Sequence, residues 1–496
     1  MSRLNHITLL GVLTLLSISS CKKKSTIHTP VIVATQEVKT EPLQTPVHVT
    51  TPSYHYKPAP IKKQVPLYWD WDKIDTTMIN FPSNFLWGVG TSAHQVEGNC
   101  TNNDWHVWEQ AGNTQEITGI ACNHWNTYKK DIQLMKSLGI NTYRFSVEWS
   151  KIEPHANKYD TAALDHYEDV CKELVQAGIK PVITLHHYTS PAWFAQMGGF
   201  EKQENIHHFV RFTQKVFERL HKYVHLWLTF NSPTSYAARG YYKHLAYPGV
   251  KDTQLMQEVI KNILEAHVQT YHALKKLPGG KDSRIGILHN IYQVEQGNGW
   301  LDGMGCRSAR ALFDDNVYGF FTTGEFKVNV SFTAKLKHIN KDAPKSLDFI
   351  GLNYYSHGLM KSLDVKACSE DLPTNCDLYT IYPEGLYRAI VDISQNIAKP
   401  LQIPIYITEN GISTDHEEHR EIFFKRYLFA LSQAIAEGHN VGGYIVWSLM
   451  DNYEWGTYDK KYGICSVDFT TQERSLKSGA QCYIDTIKKF SSMEIT

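Results

Sequence analysis

The 496-residue sequence lacks several features that mark common protein classes. Lys plus Arg equals Asp plus Glu at 50 each, so no net field attracts nucleic acid or anionic lipid, and specificity must come from a local site. None of the nine cysteines forms a C-x-x-C pair, and we predict neither a metal nor a cofactor. No Gly-rich phosphate loop follows an early strand, which argues against the alternative of an open, doubly wound sheet.

The N-terminus also lacks a hydrophobic run long enough to cross a bilayer. The apolar stretch from Ile7 to Leu16 is shorter than the roughly 20 residues that a spanning helix needs, and it is typical of an export signal. The sequence from Ile18 to Cys21 resembles the bacterial lipobox, which implies a signal peptide over residues 1–20 and lipidation of Cys21. The alternative is a plain signal peptide with an incidental cysteine. We therefore expect a lipid-anchored protein of the bacterial cell envelope, and the absence of Asp after Cys21 favours the outer membrane.

Residues 21–67 are unlike the rest of the chain. Seven of the nineteen prolines lie between Ser25 and Pro66, among many Thr and Val residues. Such a stretch supports neither helices nor central strands, because proline lacks an amide hydrogen. We predict a disordered, extended linker that holds a folded domain, residues 68–496, away from the membrane.

The folded part alternates short β-branched or aromatic runs with longer amphipathic segments, which indicates repeated βα units. Eight candidate strands are Phe85 to Gly90, Asn141 to Val147, Pro181 to Leu185, Leu226 to Phe230, Arg284 to Leu288, Phe349 to Asn353, Ile405 to Thr408 and Gly443 to Trp447. Candidate helices between them are Tyr128 to Leu138, Asp165 to Ala177, Ile206 to Tyr223, Leu255 to Leu277 and Glu417 to Glu437. Eight parallel strands predict a single closed α/β barrel, because a barrel has no exposed edge.

Most of these strands end in polar or aromatic side chains, and barrel enzymes place their chemistry at the carboxyl ends of the strands. In chain order these residues are Gln95, Arg144, His186, His187, Asn231, Ser232, Asn353, Tyr354, Tyr355, Glu409, Asn410, Trp447, Glu454 and Trp455. Amides and carboxylates can hydrogen-bond neighbouring hydroxyl groups, and Trp rings can stack on the C–H face of a sugar. Glu409, with an Arg and a Tyr to keep it ionised, is equipped to attack an anomeric carbon.

Five stretches of the chain together resemble glycoside hydrolase family 1, the retaining β-glycosidases that include β-glucosidases, myrosinases and the klotho proteins. They are Phe85 to Gly98, Tyr143 to Ser146, Asp348 to Tyr355, Ile407 to Gly411 and Trp447 to Trp455. The resemblance implies that Glu409 is the nucleophile, supported by Arg144, Asn353 and Tyr355. It further implies that the sugar hydroxyls are held by Gln95, His187, Asn231, Glu454 and Trp455, with Trp447 as the sugar platform. Tyr188 stands where the family usually has Trp, and the pair Glu454 and Trp455 favours an unphosphorylated sugar.

One expected catalytic group is missing. Retaining glycosidases use two carboxyl groups about 5 Å apart, and the family supplies the acid/base as the Glu of Asn-Glu-Pro. Here the triplet is Asn231-Ser232-Pro233, and no Asp or Glu occurs between Glu218 and Asp252. Positioned acid-base catalysis is worth roughly 10² to 10⁴ in rate. The loss should depend on the leaving group, because activated aryl groups and thiolates depart with little protonation.

Three hypotheses remain open. The first is a β-glycosidase acting on O- or S-β-glycosides, with activity restricted to leaving groups that need no acid or with an acid borrowed from a nearby loop. Myrosinases, which carry Gln at that position, are its precedent in the family. The second is a membrane-tethered, klotho-like pseudoenzyme that binds carbohydrate without efficient turnover. The third is a decaying copy without a selected function.

The state of the cysteines depends on the cellular compartment, and the leaving-group side of the site depends on the conformation of loops. In an oxidising compartment Cys368 could pair with Cys376, whereas buried free thiols are the alternative. The part of the site that receives the leaving group lies in loops whose structure the sequence does not predict, among them Asn290 to Gly305 and Lys361 to Thr380.

Overall fold

The computed structural model describes residues 66–330 and 333–491. The predicted signal peptide, Cys21 and nearly all of the predicted linker therefore lie outside the described residues. Within them, eight parallel strands are β1 (Leu86–Gly90), β2 (Thr142–Ser146), β3 (Lys180–His186), β4 (Leu226–Phe230), β5 (Arg284–Gln296), β6 (Phe349–Lys361), β7 (Ile405–Asn410) and β8 (Val441–Trp447). They form one sheet that closes on itself, because β7 pairs with both β6 and β8, and β8 pairs with β1. The predicted (β/α)8 barrel is confirmed.

Helices connect the strands and cover the barrel. The longer ones are α1 (His124–Ser137), α2 (Thr161–Gln176), α3 (Ile206–Leu220), α4 (Pro233–Tyr241), α5 (Thr253–Lys275), α6 (Trp300–Phe313), α7 (Asp315–Thr323), α8 (Pro383–Ile393), α9 (Glu417–Ala436) and α10 (Gln481–Ser491). Short helices occupy Ala93–Val96, Asp104–Gln110, Trp149–Ile152, Ala192–Gln196 and Lys399–Leu401. The five helices predicted from the sequence are all present, with ends shifted by at most four residues.

Two strands are much longer than predicted. β5 and β6 continue past the barrel rim and remain paired from Asn290 opposite Asn353 to Gln296 opposite Met360. A short strand, Asp364–Lys366, folds back antiparallel on the end of β6. Each extension is stabilised by hydrogen bonds to the other strand. The sequence of either segment alone does not predict this pairing. The extended pair raises one side of the barrel mouth.

The main core lies between the barrel and its helices, and the strands are almost completely buried. A separate small apolar cluster is formed by Val182, Leu228, Leu288 and Phe349, from β3 to β6. These residues precede the polar strand ends along each strand, so they close the barrel below the site. Among the described residues, no helix has both the length and the hydrophobicity of a membrane span.

The eight cysteines within the described residues are all free, and seven of them are buried. Cys368 and Cys376 are therefore not joined, and the interpretation as buried thiols is confirmed over the disulfide. Cys376 lies near two polar groups instead, with its Sγ 3.2 Å from the Tyr462 hydroxyl and 3.2 Å from the Lys460 Nζ.

Candidate active site

Glu409 lies at the end of β7, and both of its carboxylate oxygens accept hydrogen bonds. Arg144 Nη1 on β2 donates to Oε1 at 2.6 Å, and the hydroxyl of Tyr355 on β6 donates to Oε2 at 2.7 Å. The carboxylate is buried together with the guanidinium, so its charge is compensated by a charge-assisted pair rather than by water. Burial, followed by the charge of Glu409, holds the pKa of Tyr355 well above its usual value. Tyr355 thus remains a hydrogen-bond donor at neutral pH.

Arg144 also ties the neighbouring strands together. Its Nε donates to Thr184 Oγ1 on β3 at 3.0 Å, and its Nη2 donates to Asn231 Oδ1 at 3.2 Å. The same Asn231 oxygen accepts from Asn353 Nδ2 at 3.1 Å. These fixed contacts leave the Glu409 carboxylate with little freedom to rotate, which is what a positioned nucleophile requires.

Trp447 and Glu454 form a second pair on the same wall. Trp447 Nε1 at the end of β8 donates to Glu454 Oε1 at 2.8 Å. Burial raises the pKa of Glu454 to about 7, although the Trp447 hydrogen bond opposes the shift; the charge of Glu409 adds to it. Glu454 is therefore a mixture of carboxylate and carboxylic acid near neutral pH and can both accept and donate hydrogen bonds to hydroxyl groups.

Aromatic rings complete the same region. The His187 ring stacks with Trp447 at 5.4 Å between centroids and with Trp455 at 6.0 Å. The Tyr188 ring lies 5.3 Å from that of Trp455. Burial, then the charge of Arg144, lowers the pKa of His187, so its ring is neutral at pH 7. Flat apolar faces and neutral donors are typical of sugar-binding sites.

These residues meet around one cavity of about 110 Å³. Of the residues predicted from the sequence, its wall includes His187, Asn231, Asn353, Tyr355, Glu409, Trp447, Glu454 and Trp455. Arg144 lies behind the wall and acts through Glu409. Gln95 is also fully buried behind it, and its Nε2 donates to Asn452 Oδ1 and to the Tyr453 carbonyl, each at 3.0 Å. The structure thus brings most of the predicted residues together, and their individual roles remain predictions.

Ser232 lies two residues after the end of β4, and its side chain is buried. Its backbone has φ +45°, in the left-handed region, and Pro233 then begins α4. The Ser232 hydroxyl has no hydrogen-bond partner among the described residues. Among the described residues that line the cavity, Glu409 and Glu454 are the carboxylates, and Glu454 is held by Trp447. The wall of this cavity therefore has no carboxylate from β4 among the described residues.

Several residues of the cavity wall were not singled out from the sequence. They are Ser235, Arg239, Asn290, Cys376, Leu378, Tyr379, Lys460 and Tyr462. Ser235 and Arg239 follow Ser232 at helical spacing, a pattern that could have indicated them. Cys376 and Tyr379 come from the loop between β6 and α8, whose course the sequence did not predict.

Known proteins match nearly the whole described chain. Residues 77–491 match the model of glycosyl hydrolase family 1. β-Glucosidase A of Thermotoga maritima is 30% identical over 442 residues, covering 82% of this chain and 98% of that protein. The structure of a β-glycosidase from Pyrococcus horikoshii is 35% identical with a TM-score of 0.75, covering 83% of this chain and 96% of that one. The structure of Thermotoga maritima β-glucosidase in complex with deoxynojirimycin is 28% identical, with a TM-score of 0.75 and coverage of 83% and 99%.

Proposed function

This chain belongs to glycosyl hydrolase family 1, and from that membership we propose that it is a retaining β-glycosidase that forms a glycosyl-enzyme on Glu409. Its substrates are O- or S-β-glycosides whose leaving groups depart without help from an acid. The observation that carries the proposal is the doubly hydrogen-bonded Glu409 carboxylate, which faces a cavity with no carboxyl group from β4.

The first step follows from this geometry. A Glu409 oxygen attacks the anomeric carbon, and the bond to the leaving group breaks with its electron pair on the departing oxygen or sulfur. Arg144 and Tyr355 hold the attacking carboxylate in place. Because Ser232 cannot protonate the leaving group, its departure is fast only when the group is already a weak base, such as an activated phenolate or a thiolate.

In the second step water attacks the same carbon and releases Glu409. No carboxylate from β4 takes the proton of that water, so we expect hydrolysis of the glycosyl-enzyme to be slow. A small anion such as azide needs no base and can attack directly, which breaks the bond to Glu409 and yields a glycosyl azide. Relatives named β-glucosidases support glucose as the first sugar to test.

The deciding experiment uses the full chain and a 2,4-dinitrophenyl 2-deoxy-2-fluoro-β-glucoside. We expect one burst equivalent of dinitrophenolate, an increase in intact mass by one fluoroglucosyl group, and a labelled peptide that contains Glu409. Azide should accelerate release of the label, and the matched variant Glu409→Gln should give neither burst nor label. Absence of label, together with sugar binding in calorimetry, would instead establish the second candidate, a carbohydrate-binding pseudoenzyme. Ser232 is the observation that favours that candidate.

We also propose that the protein is exported and anchored by a lipid on Cys21. The support is the lipobox-like sequence from Ile18 to Cys21, followed by three lysines and a Pro-rich linker. Radiolabelled palmitate should be incorporated into the full chain in bacterial cells and not into Cys21→Ala. Equal labelling of both proteins, or none of either, would refute the anchor.

A further inference from the structure

The helix after Ser232 and the turn that follows it carry two unusual cations, Arg239 and Lys243. Ser232, Ser235, Arg239 and Lys243 are spaced by three, four and four residues, so they follow one face of α4 and the turn after it. Arg239 lines the cavity of Glu409, and Lys243 lines a neighbouring cavity of about 300 Å³. Ser235 and Asn290 belong to both walls, so the two cavities adjoin.

Each cation has a buried nitrogen without a hydrogen-bond partner among the described residues, and the Arg239 guanidinium lies 5.8 Å from the centre of the Trp105 ring. Arg239 is 8% exposed, and its Nε has no hydrogen-bond partner among the described residues; the same is true of Lys243 Nζ. Burial lowers the pKa of Arg239, and burial followed by the charge of Arg239 lowers the pKa of Lys243 to about 6. Burying unpaired cations costs free energy, so such groups are expected to meet an anion.

Other cations of these walls have partners. Arg310 pairs with Asp315 and Asp392, each at 3.0 Å, and Arg388 pairs with Glu295. Lys460, a further cation of the Glu409 cavity, has the Cys376 thiol as its partner at 3.2 Å, so the nitrogens without a partner belong to Arg239 and Lys243.

The position of the two cations indicates which part of a substrate carries the anion. Glu409 and Glu454 line the sugar side of the site, and their carboxylates disfavour an anionic group there. Arg239 lies on α4, which contains no acidic residue, and the two carboxylates of the larger cavity already have partners, since Asp314 is hydrogen-bonded to His289 and Asp392 is paired with Arg310. Tyr188, Tyr379 and, after them, Glu454 act electrostatically on Arg239, and the two tyrosine rings line the cavity, so an aromatic group fits beside the guanidinium.

We propose that Arg239 and Lys243 form an anion-binding subsite for the leaving group, so that the protein prefers aryl β-glycosides whose aromatic ring carries an anionic group such as a carboxylate. This inference rests on the proposed function, and it deepens it by naming the class of leaving group. Ser232 leaves this helix face without a negative charge, whereas a glutamate at that position would place one there.

The test compares two substrates that differ in one charge. 3-Carboxyumbelliferyl β-glucoside and its 3-carbamoyl analogue release fluorescent leaving groups of nearly the same shape. We measure kcat/KM for both substrates with the full chain, with Arg239→Gln and with Lys243→Gln. The intrinsic reactivity of each leaving group cancels when the carboxylate-to-amide ratio is compared between proteins.

We expect this ratio to fall by about 10- to 100-fold in Arg239→Gln, as for a lost charge-assisted hydrogen bond, and by about 10-fold in Lys243→Gln. Lys215→Gln, an exposed lysine on α3, is the matched control and should leave the ratio unchanged. The proposed subsite would be refuted if the carboxylate-to-amide ratio were the same in the natural chain, Arg239→Gln, Lys243→Gln and Lys215→Gln. If Arg239→Gln is poorly folded, Lys243→Gln decides the outcome.

Binding separates this inference from the proposed function. The free leaving groups, 7-hydroxycoumarin-3-carboxylate and its amide, are titrated into each protein by fluorescence anisotropy. Preferential binding of the carboxylate that is lost in Lys243→Gln supports the subsite even if no glycoside is cleaved. Equal binding of acid and amide would refute the subsite even if Glu409 forms the glycosyl-enzyme.

Discussion

Arg144 and Glu409 are 265 residues apart in sequence, yet Nη1 of the arginine lies 2.6 Å from Oε1 of the glutamate inside the barrel. β2 and β7 do not pair with each other, and the two side chains meet because both strands end at the same rim. The guanidinium also contacts Thr184 and Asn231. One arginine therefore orders the ends of four strands around the proposed nucleophile.

Arg144→Met should destabilise the protein strongly. It would leave the Glu409 carboxylate buried with only the Tyr355 hydrogen bond, and removal of one partner of a buried ion pair typically costs about 3 to 5 kcal/mol. The free energy of unfolding in urea measures this loss. The exposed pair of Lys215 and Glu218 supplies the control, since Lys215→Gln should cost less than about 1 kcal/mol. Equal, small losses in both variants would show that Arg144 does not compensate a buried charge.

Ser232→Glu should restore acid-base catalysis. The residue precedes Pro233 at the start of α4, where the family carries its acid/base glutamate, and the serine hydroxyl has no partner that the change would disrupt. We expect kcat/KM for methyl β-glucoside to rise by about 10² to 10⁴, because a poor leaving group needs protonation.

The rate of glycosyl-enzyme formation from a dinitrophenyl glucoside should change much less in the same variant. Ser232→Ala serves as the steric control and should behave like the natural chain with both substrates. If Ser232→Glu gave no gain with methyl glucoside although it was folded, another group would already supply the acid.

Tyr355→Phe removes the hydrogen bond to Glu409 Oε2 without altering the ring. We expect glycosyl-enzyme formation to slow by about 10- to 100-fold, because the carboxylate loses a positioned donor in a buried site. Burst kinetics with a dinitrophenyl glucoside measure the step directly. Tyr354→Phe on the same strand is the control, since its hydroxyl donates to the Tyr382 carbonyl and not to Glu409. A similar slowing in both variants would point to a general disturbance of β6.

Glu454 should make stability depend on pH. Its folded pKa of about 7 lies above its ordinary value of 4.5, so the folded protein binds the proton more tightly than the unfolded chain. The stabilisation is fully present below about pH 4.5 and is lost as the pH rises through 7, a change of at most about 3 kcal/mol by linkage. The difference in unfolding free energy between the natural chain and Glu454→Gln should therefore decline over this range. A difference that is independent of pH would contradict the raised pKa.

The sequence alone determined the architecture and much of the site. Eight short β-branched runs separated by amphipathic segments predict the barrel, because hydrophobic periodicity is a local property of the chain. Gln95, Arg144, Asn353, Glu409 and Trp447 were predicted to lie near one another because parallel strands in a barrel end at one rim. The serine between Asn231 and Pro233 is likewise visible in the sequence without any coordinates.

Tertiary structure decided what depends on neighbours distant in sequence. The extensions of β5 and β6 exist because they pair with each other. The Cys368 and Cys376 thiols are both free, and that of Cys376 lies beside Tyr462 and Lys460. The unpartnered state of Arg239 and Lys243 is also invisible in the sequence, because any acidic residue of the chain could have paired with them. Burial and the absence of a partner are properties of the folded surroundings, and they are the basis of the anion subsite that we propose.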